Sequence, residues 1–239
     1  MFLFPFDRYV LLRHLPQSAV AAEIGVAYGR FTRAIVDTTT PAKLHLIDAW
    51  RSQDKPELQN DSNNVGQDEQ DRRYEGILET YGADIATGRV AVHRAWSHEA
   101  AEQFPDGYFD WIYLDADHTY DSVKRDLEAY WPKIKEDGLL LGHDYMWHAK
   151  VPFGVIAAVN EFVERHGLTF VGLNTNDMFP SYILARPGSR AARALVADAI
   201  VSTACVIELQ DYPRRLEFEP RALTHKGKSR VFLGFKAKT

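Results

Sequence analysis

Short apolar runs alternate with segments of helical periodicity along most of this 239-residue chain. This alternation constrains the fold most, because strands that are separated by helices pair in parallel and form βαβ units. Strands are predicted at residues 19–24, 44–47, 90–93, 111–114 and 139–141, and a closing antiparallel pair at residues 168–173 and 182–185. Helices are predicted at residues 31–36, 120–131 and 155–163. The sequence therefore predicts an α/β fold, with a mainly parallel sheet and helices on both faces.

Two segments depart from this rhythm. Residues 51–73 are polar and rich in Asp, Asn and Gln, and a loop of that length in a compact domain is commonly functional. We therefore expect a lid there. Residues 188–239 carry a helical stretch at 190–200 and a late strand at 231–235, but the sequence gives them no role. We expect one domain over residues 1–187, with residues 188–239 as an appendage packed on it.

Composition limits the partners and the compartment. The net charge of −5 provides no basic field for nucleic acid or anionic lipid. No apolar run approaches the roughly 18 residues of a membrane span, and the apolar start of the chain meets Asp7 before it reaches the length of a signal peptide. The single cysteine, Cys205, fits a reducing compartment. We expect a cytoplasmic protein with a small-molecule partner, and the sequence leaves open whether it forms a homo-oligomer.

A glycine turn lies between the first predicted strand and the first predicted helix. It begins with Glu23, and its glycines are Gly25 and Gly29. Glycine lets the backbone approach a ligand closely, and the start of the following helix offers free N–H groups. Asp48 ends the second predicted strand, where a carboxylate can accept hydrogen bonds from both ribose hydroxyls. Because ligands of such sheets bind beyond the carboxyl ends of the strands, these features predict a nucleoside site. A turn that requires glycine but binds nothing is the alternative.

The spacing of the glycines bears on which nucleoside is bound. A dinucleotide fingerprint needs a middle glycine, but position 27 is Ala, which disfavours an NAD-dependent dehydrogenase. The turn instead resembles motif I of class I S-adenosylmethionine-dependent methyltransferases, which have a Rossmann-like seven-stranded sheet. This resemblance implies S-adenosylmethionine as the cofactor. The cofactor-binding residues it implies are Glu23, Gly25, Tyr28, Gly29, Asp48, Ser97 and Asp115.

Acidic and histidine residues follow two neighbouring predicted strands. Asp115, Asp117 and His118 come after one strand, and His143 and Asp144 after the next. Burying such groups is costly unless they pair, bind a metal or take part in chemistry. Taken one at a time, these residues also have ordinary explanations: a helix cap, a surface histidine, or a satisfied pair in a loop. Both clusters together favour a functional site, because the two strand ends meet at one edge of the sheet.

The order of these motifs resembles the metal-dependent O-methyltransferases that act on small molecules. The similarity spans residues 19–186 and implies that Asp115, His143 and Asp144 bind a divalent metal, Mg²⁺ or Mn²⁺. It also implies that His118 is the base, with Asp117 as the other candidate. The chain departs from the family at His143, where an acidic or amide residue is usual, and imidazole suits Mg²⁺ poorly.

The predicted function is therefore methyl transfer to a hydroxyl of a sugar, phenol or natural product, assisted by a divalent metal. One alternative is a metal-independent methyltransferase that uses His118 and His143. Another is a non-catalytic nucleoside-binding protein. The sequence does not identify the acceptor.

Overall fold

The computed structural model describes residues 1–54, 63–147, 153–225 and 227–238. Its strands are β1 (Phe2–Phe4), β2 (Val20–Ile24), β3 (Lys43–Asp48), β4 (Val90–Arg94), β5 (Phe109–Leu114), β6 (Ile134–Gly142), β7 (Thr169–Asn174), β8 (Tyr182–Ala185), β9 (Ile207–Glu208), β10 (Leu216–His225) and β11 (Lys228–Ala237). Its α-helices are α1 (Arg8–Leu11), α2 (Arg30–Thr39), α3 (Gln67–Thr80), α4 (Gly82–Ala86), α5 (Ser97–Ala101), α6 (Tyr120–Tyr130), α7 (Val155–His166) and α8 (Arg190–Ser202). Short 3₁₀ turns lie at Leu12–His14 and Trp131–Lys133.

Nine of the described strands form one sheet, in the order β4-β3-β2-β5-β6-β8-β7-β1-β9. Strands β2 to β6 pair in parallel, and β8 runs antiparallel to both β6 and β7. The seven strands predicted between residues 19 and 185 all lie in this sheet, so the mainly parallel sheet and its antiparallel closing pair are confirmed. The predicted count of seven was too low, because β1 pairs in parallel with β7 and β9 then pairs with β1.

Both faces of the sheet are covered by helices, as predicted. Along β5, Ile112 and Leu114 enter one apolar cluster while Trp111 and Tyr113 enter the other, because successive side chains of a strand point to opposite faces. Helices α5, α6 and α7 contribute to the first cluster, and α1, α2 and α8 to the second. In the described part of the chain, no helix is long and apolar enough to cross a membrane.

The segment after residue 187 packs on both clusters. Leu195 of α8 is buried in the second cluster, and β9 extends the sheet edge. The hairpin of β10 and β11 packs on the first cluster, where Phe218 is buried and Phe235 lies against it. A division of the chain at residues 187 and 188 stays a prediction.

The polar segment 51–73 is partly helical, which corrects its prediction as a long loop. Residues 67–73 form the first half of α3, while residues 55–62 lie outside the described residues. The hydrophobic periodicity of the sequence does not reveal this helix, because only three of its side chains are buried and two of those are polar. The buried residues are Gln70, Arg73 and Ile77. Before the helix, the backbone N–H of Gln53 donates to the Asn64 side chain and the Asn64 amide donates back to Gln53, each at 2.8 Å.

Candidate active site

The glycine turn joins β2 to α2 in a conformation that its glycines allow. Gly25 has a φ of 90° and Gly29 a φ of 70°, both in the left-handed region that glycine adopts without strain. A Cβ atom on Gly25 would lie 1.9 Å from the backbone oxygen of Asp115, so the position has no room for a side chain. The turn therefore brings the end of β2 against the end of β5.

Asp48 holds this turn from the end of β3. Its Oδ2 accepts hydrogen bonds from the backbone N–H groups of Val26 and Ala27, each at 2.9 Å. Its Oδ1 accepts one from the N–H of Trp50 at 2.8 Å. Because a carboxylate can accept about four hydrogen bonds, Asp48 keeps capacity for a ligand hydroxyl while it shapes the turn.

A cavity of about 450 Å³ opens beyond the carboxyl ends of β2 to β5. Its walls include four of the predicted cofactor residues, namely Gly25, Asp48, Ser97 and Asp115. Its far wall comes from the polar segment, through Arg51, Gln53, Asn63, Asn64, Gln70 and Arg73. The cavity lies where ligands of such sheets bind.

The structure does not bring Glu23 into this cavity wall. The carboxyl group of Glu23 is 1% exposed and accepts a hydrogen bond from the Thr32 hydroxyl on α2. Burial raises the pKa of Glu23 to about 8, because a charged carboxylate is poorly solvated there. Glu23 therefore ties β2 to α2 beneath the turn.

Tyr28 and Gly29 lie at the end of the turn, away from the cavity wall among the described residues. The hydroxyl of Tyr28 donates to Glu69 at 3.0 Å and accepts from Arg73 at 3.0 Å, so Tyr28 connects the turn to α3. Gly29 is the N-cap of α2. Tyr28 and Gly29 therefore support the glycine turn from outside the cavity wall.

Ser97 begins α5 at the opposite wall of the cavity. Its hydroxyl donates to Oδ1 of Asp126 at 2.6 Å, and its carbonyl accepts from the Tyr130 hydroxyl at 2.7 Å. Burial raises the pKa of Asp126 to about 6, although Ser97 partly offsets this. Asp126 lines the cavity but was not predicted from the sequence, because it lies on the buried face of α6 rather than at a strand end.

The two acid and histidine motifs meet at adjacent strand ends, as the sequence suggested. The Asp115 N–H donates to Ile24 at 2.7 Å and the His143 N–H donates to Leu114 at 2.9 Å, so the backbone pairing continues past the strands. Asp144 is 6% exposed and has a φ of 59°, a conformation that costs energy in residues other than glycine and is often found at functional sites.

The side chains of this cluster are paired with one another. Nδ1 of His118 lies 3.2 Å from Oδ2 of Asp144. Nδ1 of His143 lies 3.4 Å from the same Asp144 oxygen and 3.6 Å from Oδ1 of Asp115. The cluster therefore has Asp144 between the two imidazoles.

Asp117 has a different environment. Its Oδ1 accepts from the Thr119 N–H at 2.8 Å and its Oδ2 accepts from the Ser122 hydroxyl at 3.0 Å. Both bonds stabilise the start of α6, where an acidic group is also favoured by the helix dipole. Asp117 lines the cavity, but both of these bonds hold it at the start of α6, which fits a structural role better than that of a base.

Arg8 completes the cluster and was missed by the sequence argument. Its Nη1 lies 3.0 Å from Oδ2 of Asp115, and its guanidinium stacks on the Phe31 ring, 4.6 Å from the ring centre. Arg8 lies on α1, 107 residues before Asp115. No local pattern marks it, because only the packing of α1 against the sheet brings it to the site.

The charges of the cluster stabilise one another. Burial alone would raise the pKa of Asp115, but His143 and Arg8 hold it well below its usual range. Burial also disfavours the charged form of His143, yet Asp115 and Asp144 raise its pKa to about 10. At neutral pH the Asp115 carboxylate therefore faces one guanidinium and one imidazolium, and these two cations stabilise its charge.

Three of these residues could also hold a metal ion. One ligand atom each from Asp115, His118 and Asp144 lies within 4.8 Å of the others. His143, the expected ligand, is outside this set in the described part of the chain. Two carboxylates and an imidazole fit Mn²⁺ better than Mg²⁺. Such an ion would compete with Arg8 for Asp115 and would occupy His118.

Comparison with known proteins gives the family. A family model described as a methyltransferase domain matches residues 22–145, more than half of the chain, and this range includes the glycine turn, Asp48 and both acid and histidine motifs. Among curated proteins, no sequence matches the chain significantly.

Solved structures share the fold at low sequence identity. A Burkholderia thailandensis 1,6-didemethyltoxoflavin-N1-methyltransferase, solved with bound 1,6-didemethyltoxoflavin and S-adenosylhomocysteine, has a TM-score of 0.51 and 13% identity, over 74% of this chain and 75% of that chain. A tRNA methyltransferase of B. subtilis has a TM-score of 0.50 and 14% identity, over 77% and 68%. A Bordetella parapertussis protein named as a possible exported protein has a TM-score of 0.50 and 15% identity, over 76% and 66%. The chain thus belongs to the methyltransferase domain family, and it shares its fold with solved structures that are named as methyltransferases.

Proposed function

We propose that the chain transfers the methyl group of S-adenosylmethionine to a hydroxyl oxygen of a small organic molecule, with His118 as the base. The contact between His118 Nδ1 and Asp144 Oδ2, 3.2 Å long, carries this proposal. An aspartate that binds one nitrogen of an imidazole orients the ring and leaves the other nitrogen to accept a proton. The pair lies beside Asp115, which also lines the cofactor cavity.

The cofactor would lie with its ribose at Asp48 and its adenine near Ser97. It would supply an electrophilic methyl group: the acceptor oxygen would bond to the methyl carbon as the carbon–sulfur bond breaks, with S-adenosylhomocysteine as the leaving group. Nε2 of His118 takes the hydroxyl proton, and Asp144 stabilises the imidazolium that results. Alignment of the oxygen with the methyl group supplies much of the remaining acceleration.

The metal-independent form of this reaction is favoured by Arg8. Its contact with Asp115 and the contacts of His143 with both carboxylates already compensate the negative charge of the site. A divalent cation at Asp115 would lie close to this guanidinium, and the repulsion between the two cations would oppose its binding. His118 remains free to act as a base only when no ion binds it.

Metal-assisted transfer is the second candidate, because the donor atoms of Asp115, His118 and Asp144 converge. A divalent ion at these residues would lower the pKa of an acceptor hydroxyl. In that form His118 would be a ligand, and the proton would need another acceptor. Chelation distinguishes the two forms.

Aromatic residues around the histidines support an acceptor that has an apolar ring. The His118 ring centre lies 4.7 Å from that of Phe153, and the His143 ring centre lies 6.3 Å from that of Phe179. A phenol or a natural-product scaffold fits these surroundings better than a sugar. The net charge of −5 disfavours RNA as the acceptor, although the B. subtilis neighbour is named as a tRNA enzyme.

The polar segment 51–73 would act as the lid, since Arg51 and Arg73 both line the cavity. Lid closure would exclude water from the methyl group. Hydrogen exchange at the described ends of the segment should slow when S-adenosylhomocysteine binds. Equal exchange in both states would make the segment a fixed wall.

The test of the proposed function uses S-adenosylmethionine labelled in its methyl group. The purified protein would be incubated with a panel of phenols, hydroxylated natural products and sugars, after exhaustive chelation and again with added Mn²⁺ or Mg²⁺. We expect a labelled ether from a phenol or scaffold in the chelated sample. Activity that needs an added ion would favour the metal-assisted form. Tight binding of S-adenosylhomocysteine without transfer to any acceptor would favour the non-catalytic alternative.

A further inference from the structure

Arg73 is a buried cation on the wall of the cofactor cavity. Its side chain is 3% exposed, and it lies on the face of α3 that turns towards the glycine turn, among the residues that line the 450 Å³ cavity. A buried charge is costly unless an opposite charge compensates it. The polar contacts of Arg73 therefore show whether the protein itself provides that charge.

The hydrogen-bond partners of Arg73 are neutral. Its Nη1 donates to the backbone oxygen of Asn63 at 3.1 Å and its Nη2 donates to the Tyr28 hydroxyl at 3.0 Å. The guanidinium also stacks on the Tyr28 ring, 4.1 Å from its centre. These contacts fix the orientation of the fork without neutralising its charge.

Among the described residues, the carboxylate that pairs with Arg73 is Glu69, and it is already engaged elsewhere. Oε1 of Glu69 lies 3.8 Å from Nε of Arg73, beyond hydrogen-bond distance, and it accepts from the Tyr28 hydroxyl. Oε2 of Glu69 accepts two hydrogen bonds from Arg72. Among the described residues, Nε of Arg73 is a buried donor without a hydrogen-bond partner.

We propose that Arg73 binds the carboxylate of the amino-acid part of S-adenosylmethionine. The inference rests on the proposed use of this cavity for that cofactor. With the ribose at Asp48 and the methyl group directed to Asp115, the amino-acid chain must run along the glycine turn. Arg73 contacts this turn through Tyr28. A guanidinium donates to a carboxylate through a planar fork, and such bonds are stronger than those between neutral groups.

Arg51, another basic residue of the far wall, is exposed, so water solvates its charge and no desolvation cost has to be compensated. Arg8 has its own carboxylate, Asp115. Of Arg8, Arg51 and Arg73, only Arg73 is both buried and without a hydrogen-bonded carboxylate in the described part of the chain.

The test compares two ligands that differ only in this carboxylate. Affinities for S-adenosylhomocysteine and for its decarboxylated analogue would be measured by calorimetry on the full chain, for the wild type, Arg73→Gln and Arg72→Gln. Arg72 is the matched control, because it is the next residue of α3 and its side chain is 67% exposed. We expect Arg73→Gln to weaken S-adenosylhomocysteine binding about 10-fold or more and to leave the analogue unchanged. Arg72→Gln should change neither affinity.

The ratio of the two affinities decides the inference. If Arg73→Gln weakens both ligands equally, Arg73 only supports the wall and the proposal is overturned. If the glutamine variant does not fold, Arg73→Lys keeps the charge and most of the stem but loses the fork, and it should reduce the same ratio. A wild type that binds the two ligands equally would overturn the proposal while leaving the cofactor site intact. A wild type that binds neither would contradict the proposed function, and this inference with it.

Discussion

The guanidinium of Arg8 lies 3.0 Å from the carboxylate of Asp115, although α1 and the end of β5 are far apart in the sequence. This contact changes the electrostatic argument for the site. Two adjacent carboxylates without a cation would repel, and one would tend to remain protonated. The fold provides Arg8 as a cation from α1, and together with His143 it holds the pKa of Asp115 well below its usual range.

Removal of Arg8 should make the cluster a better metal site. In Arg8→Gln, Oδ2 of Asp115 loses its ion pair and becomes available to an ion together with Asp144. We expect the variant to bind Mn²⁺ about 10-fold more tightly than the wild type, measured by calorimetry after chelation. Arg13→Gln is the control, because Arg13 is an exposed arginine of the adjoining 3₁₀ turn. Equal Mn²⁺ affinity in Arg8→Gln and wild type would mean that Arg8 does not protect Asp115.

Loss of His118 should remove turnover but not cofactor binding. His118→Gln keeps a polar side chain but cannot accept the proton, so kcat should fall about 10²- to 10⁴-fold. The affinity for S-adenosylhomocysteine should stay within about twofold of wild type, since His118 is not part of the cavity wall in the described chain. His166→Gln on α7, which changes an ion pair with Glu128 near the surface, should leave both quantities unchanged. A variant that retains wild-type kcat would exclude His118 as the base.

Asp48→Ala should weaken both the cofactor site and the fold. The substitution removes a ribose acceptor and leaves the N–H groups of Val26, Ala27 and Trp50 without their acceptor. Hydrogen bonds to charged groups contribute about 1.5–3 kcal/mol each, so we expect about 10- to 100-fold weaker binding of S-adenosylhomocysteine and a lower melting temperature. Asp37→Ala, at an exposed ion pair of α2, serves as the control. An unchanged affinity would mean that Asp48 only shapes the turn.

The elements that were predictable from the sequence are those with a local signal. The glycine turn, the acid and histidine motifs and their strands follow from residues close together in the chain. Strand β1 was missed because it has only three residues, Phe2–Phe4, followed by a proline, and its partners β7 and β9 are far away in the sequence. Helix α3 was missed because it buries two polar side chains, Gln70 and Arg73, alongside Ile77, and such a pattern reads as a loop.

Within the site, sequence order predicted which groups converge but not how they pair. Asp115 and Asp144 meet because their strands are neighbours in a parallel sheet. His118 rather than His143 belongs to the candidate metal set, which depends on side-chain directions. Arg8 reaches the site only because the distant helix α1 packs there. Sequence spacing contains neither kind of information.

Glu23 should make the stability of the protein fall as the pH rises. Burial raises its pKa to about 8, from 4.5 in an exposed glutamate, so near neutral pH the folded chain keeps a proton that the unfolded chain releases. The stabilising contribution of that proton is complete below about pH 4.5 and is lost as the pH rises through about 8. Because one pKa unit corresponds to about 1.4 kcal/mol, this contribution should change on the order of 3 kcal/mol between pH 5 and pH 9.

Glu23→Gln is neutral at every pH and should remove that slope from the free energy of unfolding, measured with urea at pH 5, 7 and 9. Glu75→Gln, at an exposed position of α3, should keep the wild-type slope. If the wild type and Glu23→Gln instead show parallel pH profiles, the Glu23 carboxyl group is already ionised in the folded protein, and its contact with Thr32 is a bond to a charged group.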